Sequence, residues 1–278
     1  MTISVNTNAS ALIALQNLNK TNDQLSASQD RISTGLKVAT AKDDASVWAI
    51  AQGQRADTMS LSAVRSSLDR ATSISDVAMT AGASVSDLLN QLKQKVTAAQ
   101  DESYSDPTTR TIINNDFKSL LQQIANVVNN AEFDGTNILN GSLGADIRFL
   151  ANADATSFIT LSQRNLSLGG ALITVASTAT ISTITAAAAV LAQVETSITN
   201  VNSALGQLGA QARQIQGHSV FVSKLSDVLE TGIGHLVDAD MARESARLQA
   251  LQVQQQLGAQ ALSIANSAPQ IILSLFRS

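Results

Sequence analysis

The sequence predicts a mainly α fold: a long antiparallel, coiled-coil-like helical rod with paired terminal helices and a small β-hairpin region at the middle of the chain. Three observations predict it. Apolar residues recur at alternating three- and four-residue intervals along most of the chain, the spacing of one helix face. Only two prolines, Pro107 and Pro269, interrupt 278 residues, so helices can run long. The helical rhythm lapses only in the middle, from Phe133 to about Ala186, where tight-turn pairs and short apolar runs replace it.

The elements follow in order. Ala11, Leu15, Leu18, Asn22, Leu25, Gln29, Ile32 and Leu36 form a heptad seam, and the polar Asn22 and Gln29 within it imply a helix that needs one specific partner. Gly35 ends or bends this helix. Leu36 to Lys42 reads as an irregular connector, and Asp43-Asp44 as an N-cap pair for the next helix. That helix carries Leu61, Val64, Leu68, Ala71, Ser75, Ala78, Gly82, Val85, Leu89, Leu92, Val96 and Ala99 in unbroken rhythm. Running from Ala45 to Gln100, it would be about 84 Å long at the helical rise per residue.

Asp106 as N-cap and Pro107 at the first helical position start another helix. Its seam is Ile113, Phe117, Leu120, Ile124, Val127 and Ala131, returning antiparallel to the long helix. Asp134-Gly135 and Asn140-Gly141 are tight-turn pairs. Residues 147–150 and 158–161 read as short strands, and 172–175 as a weaker third. From Ala186 the helical period returns through Leu191, Val194, Ile198, Val201, Leu205, Leu208, Ala212, Ile215, Val222, Leu225 and Leu229, until Gly232 and Gly234 break it.

The last segment, from Asp238 on, opens with Asp238 and Asp240, acids that suit a helix N-terminus. It carries two apolar stripes. One is Ala246, Ala250, Val253, Leu257, Ala261, Ile264, Ala268, Ile271 and Leu275; the other is Met241, Leu248, Leu251, Leu262, Ala265, Ile272 and Phe276. One partner helix covers one stripe, so the second is expected to be exposed when this helix meets the first one. Pro269 is expected to kink its last turns.

This symmetry divides the chain into a terminal helical domain (1–36 with 238–278), a connector (37–44), a helical body (45–141 with 186–237) and a short β-rich tip (142–185). The two ends are expected to lie side by side, with the β section at the far tip.

Composition narrows the function. Charged residues are 14% of the chain against roughly 25% in ordinary soluble proteins, which points to helical surface covered in an assembly. A net charge of −4 without Lys/Arg clusters leaves no nucleic-acid footprint. Cysteine is absent, which removes disulfides, thiol nucleophiles and thiolate metal sites. Met1 to Ser10 lacks a basic start followed by an apolar core, so no cleavable signal peptide is expected and export would need a dedicated machine. The longest wholly apolar run, Ala186 to Ala192, falls well below the roughly 20 residues of a membrane span.

The chemistry-bearing residues point to structure. His218 and His235 lack the His-Glu-x-x-His spacing of a metalloprotease, and no Gly-Lys-Ser/Thr phosphate loop exists. Asp43-Asp44 reads as a cap rather than an acid–base pair, and Trp48 as a core or contact residue. Asn165-Leu166-Ser167 matches a glycosylation acceptor only weakly. No catalytic, cofactor or metal residue is assigned, and the chain reads as no enzyme.

Several motifs resemble bacterial flagellins. They are Asn6-Thr7-Asn8, Asn17-Leu18, Arg31-Ile32-Ser33-Thr34-Gly35-Leu36, and above all Ala41-Lys42-Asp43-Asp44-Ala45 followed by Ala49-Ile50-Ala51. Phe133-Asp134-Gly135-Thr136 is similar to the turn that family places before its β-hairpin. Near the other end, Asp238-Ala239-Asp240-Met241-Ala242-Arg243-Glu244 and Ala265-Asn266, Pro269-Gln270 and Leu273-Ser274-Leu275 resemble its carboxy-terminal pattern. The short form looks most like alphaproteobacterial flagellins. Ser46-Val47-Trp48 departs from the small, glycine-containing step of many relatives, and residues 91–96 lack the arginine-rich sequence that innate receptors read in enterobacterial flagellins.

The resemblance implies a filament subunit, with Leu15, Leu18, Leu25, Ile32, Leu36, Leu248, Leu251, Val253, Leu257, Leu262, Ile264, Ile271, Leu275 and Phe276 as self-assembly residues. Ala41, Lys42, Asp43, Asp44 and Ala45 belong to the connector between filament shells. It also implies partners: other flagellin subunits, the export machinery and chaperone, and cap and hook-associated proteins, with no nucleic acid or membrane. A hook–filament junction protein is the alternative, although Lys42 and Ala45 stand where such proteins typically flank Asp-Asp with proline. A flagellin carrying an inserted protease does not fit a middle section this short.

Overall fold

The computed structural model describes residues 8–103 and 106–275, the stretch 268–275 by its backbone alone. The elements are α1 (Ala9–Thr34), α2 (Ala45–Ala98), α3 (Pro107–Asn130), β1 (Ile147–Leu150), β2 (Phe158–Leu161), α4 (Ile184–Val237) and α5 (Met241–Leu275). They fall into two compact units. The central unit is Asp57–Asp227; the terminal unit is the chain up to Ala56 and from Val228 on.

In the central unit, every α2 seam residue from Leu61 to Ala99 is buried, Gly82 and Ser75 included. Helix α4 runs antiparallel to it, with Lys93 paired to Glu195 at 2.9 Å and Ser86 donating to Asn202 at 3.0 Å. A Cβ at Gly82 would collide with Leu205, so the glycine is there to let that leucine lie on bare backbone. Helix α3 starts at its Asp106 cap, which accepts Thr109 N–H at 3.2 Å, and returns along α2, marked by Lys95–Asp116 at 2.7 Å. Phe117, Leu120, Leu121, Ile124 and Val128 are its core residues.

The α4 seam is half what the sequence suggests. Val194, Val201, Leu208, Ile215 and Val222 are buried as expected, but the alternate positions are Val190, Ser197, Ala204, Gln211 and His218. Leu191, Ile198, Leu205 and Ala212 flank the seam half-buried. Nor do Gly232 and Gly234 break the helix. α4 continues through both to Val237, because Ile233 and Val237 are buried in a cluster whose packing outweighs about 1 kcal/mol of helix propensity per glycine.

The middle of the chain is part of this core. β1 and β2 pair antiparallel, Ile147 opposite Leu161 and Leu150 opposite Phe158. Leu150 N–H donates to Ser67 Oγ at 3.2 Å, and His218 Nε2 donates to the Ala151 carbonyl at 2.7 Å. Ser67 lies about 45 Å along α2 from the end that turns into α3, at the helical rise per residue. The reason is coverage: α3 has 24 residues, too few to shield the α2 seam down to Leu61, and the hairpin shields the rest.

Residues 172–175 form no third strand, only an isolated bridge between Leu168 and Ile173. Ile173 and Val175 are fully buried, and α4 side chains satisfy the backbone that a strand neighbour would have satisfied. Ser197 Oγ accepts Thr174 N–H at 3.0 Å, and Asn200 donates to the Leu172 carbonyl at 3.3 Å.

The turn Phe133–Thr136 closes with both of its backbone hydrogen bonds, with Asp134 and Gly135 at φ 50 and 69. Asn137 then ends α3: its Nδ2 donates to the Val128 carbonyl at 2.8 Å while its Oδ1 accepts Leu139 N–H at 2.8 Å. It is 3% exposed, so no water replaces what it supplies. Asn137→Ala is expected to lower stability by about 3 kcal/mol, read as a fall in the urea midpoint of the full chain.

Candidate functional site

The sequence places self-assembly on the terminal helices, and the terminal unit brings α1 and α5 together as an antiparallel pair. Asn8 is the α1 cap: its Oδ1 accepts Ala11 N–H at 3.1 Å, and its Nδ2 donates to the Ala265 carbonyl at 2.7 Å. Gln255 donates to Asn22 at 2.8 Å midway. At the other end, Ser28 donates to Glu244 Oε2 at 2.8 Å and Arg31 to Glu244 Oε1 at 3.2 Å.

The seam is made by small residues. Ala11, Leu18, Leu25 and Ile32 occupy it as expected, alternating with Ala14, Thr21 and Ser28. Leu15, Asn22 and Gln29 lie one residue out and are exposed, so Asn22 and Gln29 are not buried seam residues. Opposite them, a Cβ at Gly258 would sit 3.3 Å from Leu18, which marks close helix approach.

The two α5 stripes trade roles relative to the expectation. Leu248, Leu251, Leu262 and Ala265 face α1, Leu251 being 5% exposed. It is the first stripe that stays uncovered: Val253 is 55%, Leu257 58% and Ile264 71% exposed. The physical reason is depth of approach. Gly258 and Ala265 let α1 come close on their side, where Ile264 and Leu257 would hold it off. α1 adds Leu12 and Ile13, at 58% and 59%, which sequence periodicity alone did not single out. Ile13 and Leu257 line one groove of about 640 Å³ with Ala14, Gly258 and Ala261. α5 continues as helix past Pro269 to Leu275, while Phe276 and the side chains of Ile271 and Leu275 lie outside the described residues.

The connector is held by short polar contacts. Gly35, at φ 73, caps α1 through its N–H to the Arg31 carbonyl. Lys37 N–H donates to the Val237 carbonyl at 2.6 Å, Ala239 N–H to the Gly35 carbonyl at 2.8 Å, and Leu36 bridges Asp238. Asp43 and Asp44 divide the work. Asp44 caps α2 by accepting Ser46 and Val47 N–H at 3.0 Å. Asp43 ties the connector by accepting Thr40 and Ala39 N–H, and the Thr40 bond first among these holds its carboxyl below the ordinary value. Asp240 caps α5 in the same way, accepting Arg243 N–H at 3.1 Å. Ala41, Lys42 and Ala45 are exposed. Val38, Ala51, Ile233 and Val237 form the small core beneath, with Trp48, Val47, Leu36 and Leu236 packed on it.

Glu244 carries the main electrostatic feature. The Ser28 hydroxyl, and then the Arg31 guanidinium, hold its carboxyl below the ordinary range against the opposing effect of burial. A carboxyl depressed in the folded state stabilises it above its unfolded pKa and loses that contribution as pH falls through the folded value. Pairing of α1 with α5 should therefore weaken below about pH 4, the ordinary glutamate range. Glu244→Gln should show a shallower acid limb when the helix content of filaments is followed by circular dichroism.

Comparison with known proteins decides what this arrangement belongs to. The family description "bacterial flagellin N-terminal helical region" matches residues 5–143, and "bacterial flagellin C-terminal helical region" matches residues 191–276. This chain belongs to the bacterial flagellin family. Over its whole length the flagellin is 53% identical to flagellin FljJ of Caulobacter vibrioides, covering 100% of this chain and 99% of that one. It is 45% identical to flagellin FljK of the same organism, covering 99% and 98%. A flagellin of Brucella melitensis is 40% identical, with 99% of each chain covered. The resemblance to alphaproteobacterial flagellins therefore holds, and the hook–filament junction reading is not favoured. Among the described residues no helix is long and apolar enough to cross a membrane, and no group of three or more His, Asp or Glu converges as metal ligands.

Proposed function

We propose that this flagellin is a structural subunit that self-assembles into the helical flagellar filament used for swimming, and that its terminal helices complete their folding as subunits meet. The observation that carries the reading is the uncovered face of α5, Val253, Leu257 and Ile264, of which Leu257 lines one groove with Ile13 of α1. Large apolar residues exposed together on one helix face mark an interaction surface. α1 and α5 have 26 and 35 residues, yet among their described side chains only Ser28, Glu244 and Leu251 are buried. Isolated helices gain little in water and need burial of an apolar face to persist. Ordering them on assembly costs several kcal/mol, which the area buried between subunits offsets. Contacts that repeat head to tail without closing generate a filament rather than a ring.

The filament would lie outside the cell, reached through the flagellar export machinery, with an export chaperone shielding α5 and with cap and hook-associated proteins at the filament ends. No catalytic step belongs to this role. A chain ending at Asp240 tests it. Seeded growth followed by light scattering and electron microscopy should be lost while the helical signal of the central unit persists; continued polymerisation without α5 would overturn the reading.

A further inference from the structure

Residues 1–19 and 248–276 hold no Asp, Glu, Lys, Arg or His, although 14% of the chain is charged. The charges of the terminal pair all fall at its connector end, from Lys20 to Arg31 on α1 and from Arg243 to Arg247 on α5. Because the pair is antiparallel, with Asn8 against Ala265 and Asn22 against Gln255, the two neutral segments lie side by side. A third neutral run, 165–194, has its cover within the chain: Leu166, Ile173, Val175, Ile181, Val190 and Val194 are buried in the central unit. The terminal segments lack such cover. Among their described side chains only Leu251 is buried.

A helix face that stays in water normally carries charges. On α5 the face turned from α1 runs Val253, Gln256, Gln260, Ile264 and Ser267 at helical spacing, all exposed and all neutral. Grooves flank this helix on both sides of its contact with α1. One, of about 640 Å³, is lined by Ile13, Asn17, Gln254 and Leu257; the other, of about 500 Å³, by Leu18, Ala259, Ser263 and Asn266. The lack of charge is therefore not confined to the uncovered apolar residues: it extends round the whole of this part of the pair.

We propose that this neutral part is enclosed on all its faces by the same part of other copies, its amide and hydroxyl face included, while the charged connector end keeps contact with water. The centre of an interface is where charge is depleted, because an ion buried without a partner is costly. A foreign soluble partner would bring charges that find no counter-ion here. A lipid surface fits no better: no described helix is apolar enough to cross a membrane, and hydrocarbon would leave the Gln256 and Gln260 amides without hydrogen-bond partners. A second copy brings side-chain amides that both donate and accept, so equal faces can bond to one another. The inference rests on the proposed function and extends it from the apolar residues of α5 to the polar face between them.

A charge scan of the full chain tests this. Gln256→Glu and Ser263→Asp add charge to the polar face with little change in size, and Gln256→Met removes polarity without adding charge. In seeded growth, each acidic variant is expected to raise the subunit concentration left unpolymerised at least about tenfold, and Gln256→Met about fivefold or less. Ser26→Lys and Ser245→Glu, exposed at the charged end, should leave it unchanged. Parent-like growth of Gln256→Glu would overturn the proposal, as would equal losses from charges placed at both ends of the pair. If growth is still blocked by Leu257→Asp with Ile264→Asp, the proposed function survives that failure. Sedimentation of the monomer with neutral phosphatidylcholine vesicles, lost in Gln256→Glu, would assign the face to lipid and overturn the proposal.

Discussion

Substituting Leu257 and Ile264 by aspartate is expected to abolish polymerisation while leaving the monomer as stable as before. Both side chains are more than half exposed, so the folded chain loses no packing, and surface changes of this kind stay within about ±0.5 kcal/mol. In the filament the same positions are proposed to be covered. Each subunit would then bury unpaired carboxylates at a cost of several kcal/mol, a penalty repeated at every addition. Light scattering of seeded growth should stay flat, and circular dichroism should overlay that of the parent chain. Leu251→Asp is the informative contrast. That residue is 5% exposed against α1, so its replacement should damage the helix pair itself. Filaments of normal length from the Leu257/Ile264 variant would show that this face is not an interface.

The second large effect concerns the middle of the chain. Replacing residues 142–183 by a flexible linker is expected to unfold the central unit, although the section reads from sequence as a small cap. Phe149, Ile159, Leu161, Leu166, Ile173, Val175 and Ile181 are all buried there. At about 1.5–3 kcal/mol per buried side chain their loss removes at least about 10 kcal/mol, comparable to the whole stability of a typical domain. The cooperative urea transition followed by circular dichroism should disappear. Its survival would mean that α2, α3 and α4 suffice, and that the hydrogen bonds from Ser197, Gln211 and His218 to this section are incidental.

Those three residues also show where the sequence stops being legible. On α2 the seam reads directly, because the residues at three- and four-residue spacing are both the apolar ones and the buried ones. On α1 and α4 one of the two seam lines is small or polar: Ala14, Thr21 and Ser28 on the first, Ser197, Ala204, Gln211 and His218 on the second. Periodicity picks the bulkier neighbours Leu15 and Ile198, which flank the contact. Closeness of approach decides, and hydropathy does not encode it. The same effect exchanged the α5 stripes, since Gly258 and Ala265 admit α1 where larger residues cannot. Glycine misled in the other direction at Gly232 and Gly234, where burial of Ile233 and Val237 overrides propensity.

Local chemistry was readable wherever it acts within a few residues. The caps Asp44 and Asp106, the αL glycine at Gly35, the Asp134-Gly135 turn and both strands fall where the sequence places them. Glu244 was not readable as a site, because its meaning lies in Ser28 and Arg31, more than two hundred residues away.

The central claim is that α1 and α5 are stabilised mainly by neighbouring subunits. Backbone hydrogen exchange on monomer and filament tests it most directly. Amides in α1 and along α5 to Ala265 should exchange rapidly in the monomer and be strongly protected in the filament, while α2 amides between Leu61 and Val96 stay protected in both. Strong protection of α1 in the monomer, or no gain of protection in α5 on polymerisation, would contradict the account.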